Sequence, residues 1–166
     1  MSTIRRRTLW LAAASVGLIA TGAAAQGTNP PAGQPAAPAP AASATNPPRT
    51  PAPHDAYVYI GWPLDGATVG TKFKVWFGTR NFGIAPAGVQ KANTGHHHLL
   101  IDVPLPPLDQ PIPNDRNHLH FGLGQTEAIV ELPPGKHTLQ LLMGDADHVP
   151  HDPALMSRRI TVYVRG

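Results

Sequence analysis

Pro133-Pro134-Gly135-Lys136-His137-Thr138-Leu139-Gln140-Leu141-Leu142, followed after a loop by Ser157-Arg158-Arg159-Ile160-Thr161-Val162-Tyr163-Val164-Arg165, decides the fold. The prolines and Gly135 make a turn, and beyond it His137, Leu139 and Leu141 alternate with Thr138 and Gln140. In the second run Ile160, Val162 and Val164 alternate with Arg159, Thr161, Tyr163 and Arg165. A period of two puts one set of side chains toward a core and the other toward water, which is the pattern of a strand. Working toward the N-terminus, the same reading applies to 127–132, to the apolar run 99–103, to 73–77, where Phe73, Val75 and Phe77 share a face, and to 56–60. No window reads as an amphipathic helix longer than about ten residues. The segment Pro104 to Asn117 carries five prolines and is expected to be an irregular loop, of a length that is often functional.

The expected architecture is therefore all-β: an antiparallel β-sandwich of six to eight short strands with long Pro-rich loops. Pro63-Leu64-Asp65-Gly66-Ala67-Thr68-Val69 resembles the first hairpin of bacterial immunoglobulin-like domains, and the closing strand pair resembles their last one. That resemblance implies an immunoglobulin-like fold and no activity, because such folds host many functions.

The domain plan follows from composition. Arg5, Arg6 and Arg7 precede an apolar run of about 12 residues, short of the roughly 20 that a spanning helix needs. The run ends at Ala23-Ala24-Ala25, a small-residue cleavage site. This is the three-part plan of a secretory signal over 1–25, with Arg6-Arg7 resembling a twin-arginine type, so a periplasmic or secreted location is expected. The mature chain then has no transmembrane segment. Residues 26–53 read as a disordered linker: nine of the twenty prolines lie there among Ala, Gly, Ser, Thr and Asn, a composition that cannot bury enough surface to order itself. Residues 54–166 are left as one domain with one core.

Charge excludes more than it suggests. The formal charge of +3 is supplied by the three arginines of the signal, since 13 Lys and Arg stand against 10 Asp and Glu in the whole chain. The mature protein is balanced, so nothing points to nucleic acid or to an anionic membrane surface. There is no cysteine, hence no disulfide, thiolate ligand or lipid-attachment cysteine.

The chemistry lies in the histidines. Eight of the nine fall between His96 and His151. In a strand His96 and His98 share a face, with His97, Leu99 and Ile101 on the other; His118 and His120 share a face opposite Leu119 and Phe121. If the two segments are neighbours, four imidazoles converge. A set of imidazoles without thiolate suits copper(II), zinc(II) or nickel(II), so His96, His98, His118 and His120 are the first candidate ligands, for copper or zinc. His148, His151 and Asp152 form a second candidate group in a Pro-containing loop; Asp102, Asp145 and Asp147 are candidate supporting carboxylates. His137, alternating with Leu139 and Leu141, is expected to be a hydrogen-bonded core residue.

Three motifs carry a further resemblance: Ala85 to Asp102, Leu108 to Glu127 and Pro133 to Pro153. Together they resemble the bacterial domain of unknown function 4399 family over 57–164. The resemblance implies an exported bacterial protein and transfers no activity, cofactor or site residue. No G-x-S-x-G element or cysteine nucleophile is present, and the order His118-x-His120 then Glu127 is spaced more widely than the cupin motif it is similar to. The sequence thus favours a non-catalytic module and leaves two readings open. One is a metal-binding domain, with a metal ion or another envelope protein as partner. The other is a structural or interaction module whose histidines staple loops by hydrogen bonds.

Overall fold

The computed structural model describes residues 48–166. The signal segment 1–25 and most of the linker lie outside the described residues. Among those described there are nine strands and no helix, so none that could cross a membrane. The strands are β1 Tyr57–Trp62, β2 Ala67–Gly70, β3 Lys72–Arg80, β4 Gly83–Ile84, β5 Thr94–Ile101, β6 His118–His120, β7 Glu127–Glu131, β8 Gly135–Gly144 and β9 Ile160–Arg165.

They form two sheets. One has the order β1-β3-β7; the other runs β2-β9-β8-β5-β4, with β6 also paired to β5. The sandwich-like all-β expectation holds. Two pairings, β2 with β9 and β4 with β5, are parallel, where an antiparallel arrangement was expected throughout. Both join segments far apart in sequence or separated by a long turn, so no hairpin forces them to run antiparallel.

The period-two pattern explains the core. Phe73, Val75 and Phe77 of β3 point inward, between the exposed Lys72, Lys74 and Trp76. They meet Leu99 and Ile101 of β5, Leu139, Leu141 and Met143 of β8, and Val162 and Val164 of β9. Each such side chain removed from water contributes about 1.5–3 kcal/mol. The larger sheet is covered on its other face too. Leu100 and Leu142 face away from the sandwich and pack against Ile112, with Val103, Leu105, Leu108 and Met156 closing over them. The Pro-rich loop is therefore a lid on the outer face. This double cover is why β5 is buried almost end to end and reads as an unbroken apolar run rather than an alternating one.

Two strand ends differ from the sequence reading. The run 99–103 stops at Ile101, because Asp102 turns to a positive φ of 57° and its carboxylate accepts the Thr138 backbone N–H at 2.7 Å. The last strand starts at Ile160 and not at Ser157. Ser157 instead pairs with the far half of β8: its N–H donates to Leu141 O and its hydroxyl accepts from Leu141 N, at 2.9 and 2.8 Å.

Residues 49–52, expected in the linker, lie along the loop 145–152. Asp152 N donates to Thr50 O and Ala52 N to Asp152 O, both at 2.9 Å. Arg49 donates to the carbonyls of Pro150 and His151, and Thr50 Oγ1 donates to Asp145 Oδ2 at 2.6 Å.

Candidate metal centre

β5 carries three consecutive histidines, and strand geometry separates them. His97 faces the sandwich interior, its ring 5.2 Å from that of Phe77, with Nδ1–H donating to Gln125 O at 3.2 Å. His96 and His98 face outward, in line with Leu100. All three are fully buried. β6 pairs with β5 so that His98 lies opposite His120, Leu99 opposite Leu119, and Leu100 opposite His118. This register brings His120 beside His98 and leaves His118 across from a leucine.

The result is a compact group. His96, His98 and His120 each offer a ring nitrogen within 4.8 Å of the other two. The Nε2 atoms of His96 and His98 are 3.0 Å apart. The chain makes room for them with glycine. A Cβ on Gly144 would lie 3.0 Å from His98 Nε2, and one on Gly122 would overlap the His120 ring. His148 reaches the same place from the loop after β8, its ring centre 5.0 Å from that of His96 and 4.8 Å from that of His120.

The other candidates separate from this group. His118 Nδ1 pairs with Asp115 Oδ1 at 3.0 Å. His151 is buried elsewhere: its ring edge meets Phe82 at 5.0 Å, and Nε2–H donates to Thr94 O at 3.2 Å. Asp152 is largely exposed and lies 3.5 Å from Arg49. The second expected group therefore does not assemble. His148 and His151 stand three residues apart in a turn that sends them to different sides of β5. His137 is not a core residue as expected. It sits half-buried at the start of the inward row of β8, opposite Val162, donating to Asp102 Oδ2 at 2.6 Å and to Pro133 O at 2.9 Å, polar partners that hold the ring out of the apolar core. Asp145 is spent on its own loop, where Oδ1 accepts the N–H groups of Asp147 and Val149. The membership of His148 was the part that spacing along the chain missed. The one local signal was the Gly144-Asp145 pair before it, a small residue and a turn-forming carboxylate.

Electrostatics keep these rings neutral. Burial, reinforced by the neighbouring imidazoles of His120 and His148, lowers the pKa of His96 to about 4. Burial and the same crowding by His96, His120 and His148 lower that of His98 to about 2. Burial, then His148, lowers His120 as well. A neutral imidazole keeps a lone pair free for a metal. The contrast with His137 is sharp: burial works against its charge, yet Asp102 and the Pro133 carbonyl outweigh it and raise its pKa, as two donated hydrogen bonds require. Within the cluster His96 Nδ1, His98 Nδ1 and His120 Nε2 are buried with no hydrogen-bond partner. Buried polar atoms normally have one, and each that lacks it costs about 1–3 kcal/mol. His97 Nε2 and His151 Nδ1, outside the cluster, are buried without a partner too, so what marks the cluster is convergence: one ring nitrogen from each of His96, His98 and His120 within 4.8 Å of the others, a donor set that suits a divalent transition ion.

A family model described as Domain of unknown function (DUF4399) matches residues 75–165, more than half of the chain. The chain belongs to the DUF4399 family. The match spans every histidine of the cluster, so the site lies inside the family's domain and not in an appendage. No curated protein and no solved structure matches the chain.

Proposed function

We propose that this DUF4399 protein is an exported module that binds a divalent transition metal, copper(II) or zinc(II), through His96, His98 and His120. One observation carries the reading: the buried His96 and His98 and the partly buried His120 offer ring nitrogens within 4.8 Å of one another on a single sheet face, with glycine at two contacts where a side chain would intrude. The signal segment supports placing this site in the envelope, where an all-nitrogen donor set meets metal without competition from the chain's own thiols. The domain's other hydrogen-bonded histidines illustrate the alternative, a scaffold of loop staples: His118, His137 and His151 each hold a carboxylate or a carbonyl. The cluster histidines hold no carboxylate or carbonyl, and His96 and His98 turn Nε2 toward one another at 3.0 Å, which supports the metal reading for this group.

Elemental analysis of protein purified from the periplasm without a histidine tag tests the reading. It should be paired with calorimetric titration of copper(II) and zinc(II) into the wild type and His96→Ala/His120→Ala. Stoichiometric binding that disappears in the double variant is expected. A wild type that binds neither ion, or a double variant that binds as well as the wild type, rules the site out.

A further inference from the structure

Resting on that reading, we infer that His148 is a fourth ligand and that the completed site is a tetrahedral four-imidazole centre suited to zinc(II) rather than to square-planar copper(II). The argument is the shape of the group. The six distances between ring centres are 4.9 Å for His96–His98, 5.0 Å for His96–His120, 5.0 Å for His98–His120, 5.0 Å for His96–His148, 4.8 Å for His120–His148 and 6.0 Å for His98–His148.

Coordination geometry sets what these distances must be. With Zn–N near 2.05 Å and each ring centre about 1.1 Å beyond its nitrogen, four imidazoles on a tetrahedron stand about 5.2 Å apart in every pair. In a square plane the same lengths give four pairs at about 4.5 Å and two opposite pairs at about 6.4 Å. A square therefore needs two long diagonals that share no ring. Here the only long pair is His98–His148, and the pair that would be its partner diagonal, His96–His120, is at 5.0 Å. The ring centres therefore have the spacing of a slightly stretched tetrahedron; the nitrogens already within 4.8 Å of one another are those of His96, His98 and His120, and His148 completes the site by turning a ring nitrogen toward them.

The secondary structure explains the shape. β5 and β6 present three imidazoles from one sheet face, and the fourth comes down on them from a loop. That loop is built to hold its place. His148 has a φ of 68°, with its N–H donating to Asp145 O at 3.0 Å and its carbonyl accepting from Ile112 N at 2.9 Å. Asp145 N donates to Val149 O and Gly88 N to Ala146 O, both at 2.9 Å, and Thr50 holds the Asp145 carboxylate. A site closed by four protein ligands leaves no open position for a reacting water. Its role is then structural or one of holding zinc, not hydrolysis.

The test uses the mature, tag-free protein with zinc(II) and cobalt(II) alone as probes. In the wild type we expect one zinc per chain, X-ray absorption showing four nitrogen neighbours at about 2.0 Å, and the intense visible bands of tetrahedral cobalt(II). His148→Asn and His148→Gly both tolerate the positive φ, so they remove the imidazole and keep the loop. In each, the nitrogen count should fall from four to three with an oxygen in its place, and zinc affinity should fall by more than the ~10–100-fold that loss of a merely supporting contact costs. Four nitrogen neighbours, an unchanged cobalt spectrum or unchanged affinity in these variants overturns the inference while the three-histidine site stands. Six-coordinate cobalt, or copper(II) resonance showing a square-planar four-nitrogen site in the wild type, overturns the tetrahedral assignment. A wild type that binds no metal fails the underlying reading itself.

Discussion

Lowering the pH of the metal-free domain from neutrality to about 5 should bring it close to unfolding, before the carboxylates protonate. The pKa values of His96 and His97 are lowered to about 4 and that of His98 to about 2, against an ordinary 6.5, in each case chiefly by burial. The folded form therefore binds fewer protons than the unfolded chain between pH 6.5 and 4. Their contribution is complete above 6.5 and is lost as the pH falls toward 4. Each such group removes somewhat over 1 kcal/mol per pH unit in that window. For three histidines the loss by pH 5 is on the order of 5 kcal/mol, as large as the whole stability of many domains. The lowered values of His120 and His151 act in the same direction. Thermal and urea melts followed by circular dichroism, with chelator present, at several pH values from about 7.5 to 5 measure this slope directly. His98→Leu removes one of the three groups and should reduce the slope by about a third. A melting temperature that stays level from pH 7 to 5 in the chelated wild type would refute the reasoning, since it would mean that these rings are protonated or hydrated in the folded state.

Three further outcomes follow from single contacts. Gly122→Ala places a methyl group within the His120 ring, so zinc or copper titration should show weakened binding while the far-ultraviolet spectrum keeps its β character. Asp102→Asn keeps the positive φ, which Asn tolerates, and removes the charge facing His137. The His137 pKa, followed by proton NMR, should then drop; in the wild type the stabilisation it supplies is present below 6.5 and lost as the pH rises through the raised value. Thr50→Val removes the donor to Asp145 Oδ2 and should cost about 1 kcal/mol or more, read as a lower melting temperature together with faster amide exchange at Asp147 and Val149.

The legible part of the fold was the alternation. Phe73, Val75 and Phe77, then Ile160, Val162 and Val164, revealed strands and their inward faces because side chains in an extended backbone must alternate. Less legible was the outer cover of β5 and β8. Leu100 and Leu142 are as buried as Leu99 and Leu141, and an unbroken apolar run does not say which loop lies over it. The stops at Asp102 and before Ile160 were hidden too, since both depend on side chains answering the backbone of β8.

At the histidines the division is clear. The residues by themselves determined that His96 and His98 share one face and His97 takes the other, and that His118 and His120 share theirs, because that follows from local covalent geometry. The tertiary structure decided which of these meet. Opposing His98 with His120 sets His118 against Leu100 and Asp115, and that register is fixed by how Leu119 and Phe121 join a core assembled from distant strands. It also decided that His148 arrives and His151 does not, through hydrogen bonds linking residues about a hundred positions apart. Period is written residue by residue; register and loop closure are set only when the whole core is packed.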